Sequence, residues 1–141
     1  MFKRILLLSP LLMLINLVGC QSRIEASIGN EFSLAIGQTA ELKGEQITIQ
    51  FEGIRDDSRC PKGATCIWQG RVSSILQISD NGLSSQIVLT EPGLSDQYGN
   101  NRYKQYEFTS HVQPYPELGK KISSEDYRLF LTVKKLTAGN D

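Results

Sequence analysis

Beyond residue 31 the apolar residues of this chain recur at every second position, in short runs. Phe32, Leu34 and Ile36 alternate with Ser33 and Ala35, which predicts a strand over 32–36. A second short strand is expected over 40–43. From 46 to 54 the alternation is clean: Ile47, Ile49 and Phe51 point one way, Thr48, Gln50 and Glu52 the other. That predicts a half-buried central strand, ended by Gly53. The runs 72–78 and 83–89 flank Asn81-Gly82, a pair suited to a type I′ hairpin turn, whose two central residues both need positive φ. Such a turn sets Ile78 opposite Ser85, Leu76 opposite Ile87 and Ile75 opposite Val88. Val72, Leu76, Ile78, Leu83, Ile87 and Leu89 then share one face. A loop is expected over 90–101 and a strand over 103–108, with Tyr106 and Phe108 inward. Residues 111–121, with Pro114 and Pro116, suit an edge segment or ordered loop, and a last strand is expected over 127–133.

Seven or eight short strands with regular turn signals and no helical period predict an all-β domain. The expected architecture is a single antiparallel β-sandwich of immunoglobulin-like type, with a small β-barrel as the alternative. It should occupy residues 31–136, leaving 137–141 to fray. A length of 141 residues allows one such domain plus short extras. Hydrophobic residues at 40% and charged residues at 21% are an ordinary globular balance.

Residues 1–19 read as a secretory leader. Lys3 and Arg4 form its positive start, and an apolar run from Ile5 to Val18 follows, too short and interrupted for a membrane span. The run ends in Leu17-Val18-Gly19-Cys20, which resembles the lipobox of bacterial lipoproteins. The resemblance implies cleavage before Cys20 and lipidation of that residue. Two or more acyl chains hold a protein firmly on a bilayer where one holds it marginally. Gln21 stands where Asp directs inner-membrane retention, so in a Gram-negative cell the expected address is the periplasmic face of the outer membrane. Residues 20–30 are expected to serve as a polar tether, with a reach of roughly 35 Å beyond Cys20. With the leader removed, 13 basic residues face 15 acidic ones. No basic stripe with interleaved aromatics appears, so nucleic acid is not an expected partner.

The stretch from Asp56 to Gly70 holds the only Trp and the two remaining cysteines. In an oxidising compartment Cys60 and Cys66 predict a disulfide, which closes a loop and stabilises by roughly 2.4 kcal/mol on the chain-entropy model. Redox catalysis would favour Cys-x-x-Cys in a βαβ setting, and a structural zinc site would need four ligands; neither pattern is present. His111, the only histidine, reads as a loop residue. Glu91, Asp96, Asn100 and Asn101 read as a plain polar loop without calcium-loop spacing. Asp56, Asp57, Arg59 and Arg71 are expected to pair locally. Trp68 should share the core parity of Val72 and pack beside the disulfide, and Gly70 should mark a bulge or a close backbone approach.

Residues 57–70 resemble the Asp-Ser-Arg-Cys-Pro-x-Gly-x-x-Cys-x-Trp-x-Gly signature of a family of small secreted or lipid-anchored bacterial proteins. Pro114-Tyr115-Pro116 and Asp126-Tyr127 are similar too; Gln69 departs from the small residue expected at its place. The resemblance carries no activity, cofactor or catalytic residue with it. No enzymatic, metal or cofactor site is expected. The expected role is that of a binding module, whose loop presents Asp57, Arg59 and Lys62 to another envelope protein or a glycan. Two alternatives are a protease inhibitor using Arg59-Cys60-Pro61-Lys62 and a thiol–disulfide redox protein using Cys60 and Cys66.

Overall fold

A computed structural model describes residues 22–94 and 98–137. The leader, Cys20, Asp96 and the end of the tail from 138 lie outside the described residues. Two sheets face each other. In one the strand order is β1 (Arg23–Ala26), β3 (Thr39–Leu42), β4 (Ile47–Asp57), β5 (Arg71–Asp80) and β6 (Leu83–Pro92). In the other it is β2 (Glu31–Ala35), β9 (Arg128–Lys135), β8 (Tyr106–Gln113) and β7 (Gly99–Tyr103). Neither sheet closes into a barrel. The expectation of a purely antiparallel sandwich needs correcting at one edge, because β1 runs parallel to β3.

The core sits between the sheets and follows the period-2 pattern. Ile47, Ile49 and Phe51 of β4 and Leu76 and Ile78 of β5 meet Phe108 of β8 and Leu129, Leu131 and Val133 of β9, all fully buried or nearly so. The β5–β6 hairpin has the expected register, with Ile78 opposite Ser85 and Leu76 opposite Ile87. Asn81 and Gly82 take φ of 50° and 81° at its turn. Along the inner face of β6, burial deepens from exposed Leu83 at the tip to Leu89 and Glu91 at the far end.

Four boundaries differ from the pattern-based expectation. The polar stretch read as a tether enters the sheet at Arg23, where Ile24 packs against the core and Ala26 is buried. Only Ser22 precedes that strand among the described residues. β4 does not stop at Gly53 but continues to Asp57, through register shifts between Phe51 and Gly53 and between Ile54 and Asp56. The extra residues are accommodated as bulges, which bend a strand without ending it. β7 lies where a loop was expected, an edge strand of polar residues paired only to β8. β8 reaches Gln113, so His111 is a strand residue and not a loop residue.

Replacing Gly82 with Ala forces a Cβ into the left-handed region at the hairpin turn. The expected loss is on the order of 1 kcal/mol in urea denaturation, with the slope of the transition unchanged.

Candidate functional site

One end of the sandwich gathers the end of β4, the start of β5, the end of β6 and the connection from β8 to β9. Its chemistry starts from an unfilled place in a sheet. β7 pairs with β8 only as far as Gly99 opposite Ser110. Beyond that point β8 has β9 on one side and, among the described residues, no strand on the other. Two side chains take the missing strand's place. Glu91, from the inner face of β6, accepts the Val112 amide proton at Oε2, 2.8 Å away. Arg59 donates to the Val112 carbonyl from Nη1 at 2.8 Å and to the Pro114 carbonyl from Nη2 at 3.0 Å. Buried backbone polar groups demand partners, and here a guanidinium and a carboxylate supply them.

Arg59 is held from the other side by Asp57 at the end of β4. Nε donates to Oδ1 at 2.8 Å and Nη2 to Oδ2 at 2.6 Å, a two-pronged pair. The Tyr127 hydroxyl also donates to Asp57 Oδ2, at 3.1 Å. Glu91 Oε1 lies 4.0 Å from Arg59 Nη1 and 3.3 Å from His111 Nδ1. The latter contact is close but not aligned as a hydrogen bond, which leaves Nδ1 without a partner. Burial pushes the Glu91 carboxyl up to about 7, against the lowering pull of Arg59 and the Val112 amide. Burial, then the Arg59 charge, holds the His111 imidazole below its usual value. Burial, then Asp57, raises the Tyr127 phenol.

The stapled loop rests on this cluster. Cys60 and Cys66 form the expected disulfide. Lys62 joins the following loop by backbone bonds, its amide donating to Pro116 O at 2.9 Å and its carbonyl accepting from Leu118 N at 3.0 Å. Tyr115 stands between the two loops. Its hydroxyl donates to Cys60 O at 3.0 Å and also lies against Gly93 O. The Arg59 guanidinium lies 5.1 Å from the centre of its ring and Lys62 Nζ 5.5 Å. Gly70 makes the expected close approach: a Cβ there would come within 1.8 Å of Ser58 O. Gly93 does the same against Gln69 O, at 1.9 Å.

Several expected roles change. Trp68 does not pack in the core; it is 80% exposed and Ile67 is 92% exposed. The pairing of β5 begins only at Arg71, and Gly70 takes a φ of 70°, so the strand parity assumed for residues 66–70 does not apply. The disulfide lies within a loop and the Trp outside the core, so the immunoglobulin analogy fails at that point. Arg59 is no exposed binding residue: it is 3% exposed overall and its side chain is fully buried. That also removes it from any inhibitory loop. Asp57 is turned inward with it, and Lys62 alone of the three is exposed. The local pairing holds for Asp57 with Arg59, and more loosely for Asp56 with Arg71 at 3.8 Å. Asn100 and Asn101 are spent on β-strand neighbours, their Oδ1 atoms accepting from Thr109 Oγ1 and the Thr90 amide. Among the described residues no cluster of His, Cys, Asp and Glu suits a metal. Glu91, read from the pattern as part of a plain polar loop, is instead a buried residue of β6 at the core parity of Leu89.

Where the β8–β9 connection folds over the outer face of its sheet, it leaves an open groove of about 510 Å³. Tyr115, Ile122 and Phe130 give it apolar and aromatic surface, and its charged lining is mixed, with Lys120, Lys121 and Arg128 beside Glu117 and Asp126. A hollow of about 210 Å³ shares Lys120 and Ile122 with it and is lined by Asp57, Arg59 and Tyr127. The buried ion cluster is thus a wall beside the groove.

Removing Arg59 strips Asp57 of its buried counter-ion and leaves the Val112 and Pro114 carbonyls without their donor. Arg59→Ala should cost about 3–5 kcal/mol in urea denaturation, whereas Lys62→Ala should change stability by under about 0.5 kcal/mol. Glu91 adds a pH dependence. Between pH 4.5 and about 7 the folded chain keeps a proton on Glu91 that the unfolded chain releases. Its contribution to stability is therefore full below that window and lost as pH rises through it. Glu91→Gln removes the titration, so the melting temperature of the wild type should fall relative to that of the variant from pH 5 to pH 8; a constant difference would contradict the assignment.

The chain matches no family model, no curated protein and no solved structure, so its role has to be read from its own geometry.

Proposed function

We propose that this chain is a lipid-anchored, non-enzymatic binding module of the bacterial cell envelope, with the groove beside the stapled loop as its binding surface. The leader and its Leu17-Val18-Gly19-Cys20 ending support the anchor and the compartment. A Gram-negative cell would hold it on the periplasmic face of the outer membrane. The likeness of residues 57–70 to the signature of small bacterial secreted and lipid-anchored proteins agrees with that address.

The observation that carries the binding role is the groove itself. It combines aromatic surface from Tyr115 and Phe130 with three cations, Lys120, Lys121 and Arg128, against two carboxylates, Glu117 and Asp126. Its walls are preset by the disulfide, the Arg59 cluster and the backbone bonds between Lys62 and residues 116–118. A surface fixed before contact loses little freedom on binding, which converts modest contacts into affinity. The partner suited to it is an envelope protein segment or glycan that offers an apolar face and a negative group. Lys120 is engaged by Glu117 at 2.5 Å, which leaves Lys121 and Arg128 as the cations to meet that group.

An inhibitory role through this loop would have to use Lys62, since Arg59 is buried. A redox role finds support only in the disulfide itself.

The test is capture of partners from detergent-solubilised envelopes by the immobilised mature protein. Phe130→Ala and Lys121→Glu should each weaken capture by about tenfold, or ~1.4 kcal/mol. Lys43→Ala, an exposed change outside the groove, should leave it intact. Equal capture by all variants would remove the groove from the function.

A further inference from the structure

Ile67 and Trp68 stand outside both the core and the groove, exposed at 92% and 80%. Each is a large apolar side chain fully in water on a loop that the disulfide and the Tyr115 post hold in place. Leu118, also well exposed, flanks the same loop, 3.7 Å from where a Cβ on Gly63 would lie. Exposed apolar groups gathered in this way mark contact surfaces.

The topology indicates what they contact. β3 starts beside Gln50 and runs back toward Ile47, so its start faces the Asp57 end of β4. β1 runs parallel to β3, with Arg23 beside Thr39, and the Thr39 amide donates to Ser22 O at 3.3 Å. The chain therefore enters the sheet at its β1 edge, running from the side of the stapled loop but short of it, at the level of Gln50 in β4. Cys20 is two residues before Ser22, a reach of about 7 Å at most. A lipid on Cys20 would hold the domain close to the bilayer by its β1 edge, and tilting the domain about that edge lowers the end that displays Ile67 and Trp68 onto the same surface. Lys62 and Lys121 lie at that same end, exposed, as does Lys120, which is paired with Glu117. Tryptophan favours the membrane–water interface, and basic residues favour anionic headgroups.

The geometry points to the Ile67–Trp68 tip as a second membrane contact: it inserts into the headgroup region of the bilayer that holds the lipid on Cys20. The inference rests on the lipid-anchor reading above. With two points of contact the domain cannot swivel freely about its anchor, and the groove is held at a fixed tilt beside the bilayer. The lipid supplies the affinity and the tip supplies the orientation, because a preset loop gives up little freedom on insertion.

Trp68 is the only tryptophan in the chain, so its fluorescence reports this one position. The mature lipidated protein is reconstituted into phosphatidylcholine vesicles, with and without phosphatidylglycerol, and mass spectrometry reads the modification at Cys20. Expected is a blue shift of Trp68 emission, with loss of emission to phospholipids brominated in the acyl chain and protection from iodide in the water. Ile67→Ser should reduce the quenching by brominated lipid. Lipidated protein whose Trp68 stays open to iodide overturns this inference and leaves the anchor reading standing. A blue shift without quenching by brominated lipid means that a second copy of the chain covers the tip, and it also overturns the inference. An unmodified Cys20 overturns both readings.

Discussion

The guanidinium of Arg59 takes the place of a strand. Where β7 ends, β8 would otherwise present bare carbonyls at Val112 and Pro114 and a bare amide at Val112. Arg59 covers the carbonyls and Glu91 the amide. An uncovered strand edge invites pairing with another chain, and proteins blunt such edges with charge, bulges or cover. Here the cover is made of two side chains from other segments, which ties β4, β6 and β8 together at one point. The arrangement is demanding: each charge is tolerable only while the others are present, because burying an unpaired charge costs several kcal/mol. Asp57 completes the set by holding the guanidinium through two hydrogen bonds, and Tyr127 holds Asp57 in turn.

This cluster explains why the loop above it can be fixed by so little. The disulfide spans only six positions of sequence and restrains no distant part of the chain. The loop's attachment comes instead from Arg59 immediately before the first cysteine, from Tyr115 beneath it and from the backbone pairing of Lys62 with residues 116–118. Asp57, Arg59, Tyr115 and Tyr127, spread across the sequence, thus act on one site. Much of the residue pattern over 57–70, and of Pro114-Tyr115-Pro116 and Asp126-Tyr127, is accounted for by this architecture. Trp68 is the exception, with its side chain 80% exposed.

What the sequence disclosed follows from how local each determinant is. The β5–β6 hairpin was legible because Asn81-Gly82 and the alternation on both sides agree on one register. β4 and β9 were legible because their inner faces are apolar at every second position. β7 was not, since Gly-Asn-Asn-Arg-Tyr carries no alternation and becomes a strand only through pairing with β8. The burial of Arg59 was hidden for a different reason. A charged residue enters the interior only when distant partners satisfy it, and those partners come from 53 and 55 positions away. Trp68 misled because parity was extended through Gly70, a residue that turns the chain before the strand starts. The disulfide, by contrast, needed only a cysteine count and the expectation of an oxidising compartment.

The close contacts at Gly70 and Gly93 have a consequence for how this protein can change over evolutionary time. Ser58, Gly70, Gln69 and Gly93 stack backbone on backbone, with no room for even a methyl group at either glycine. Three separate segments therefore have to be inherited as a matched set. Between them, residues such as Ile67 and Trp68 meet no such limit, because their side chains point into solvent. The end of the sandwich divides into a frame closed to innovation and a tip open to it. A lineage could alter what the tip touches, by substitution or by a change in loop length, and leave the frame that positions it untouched.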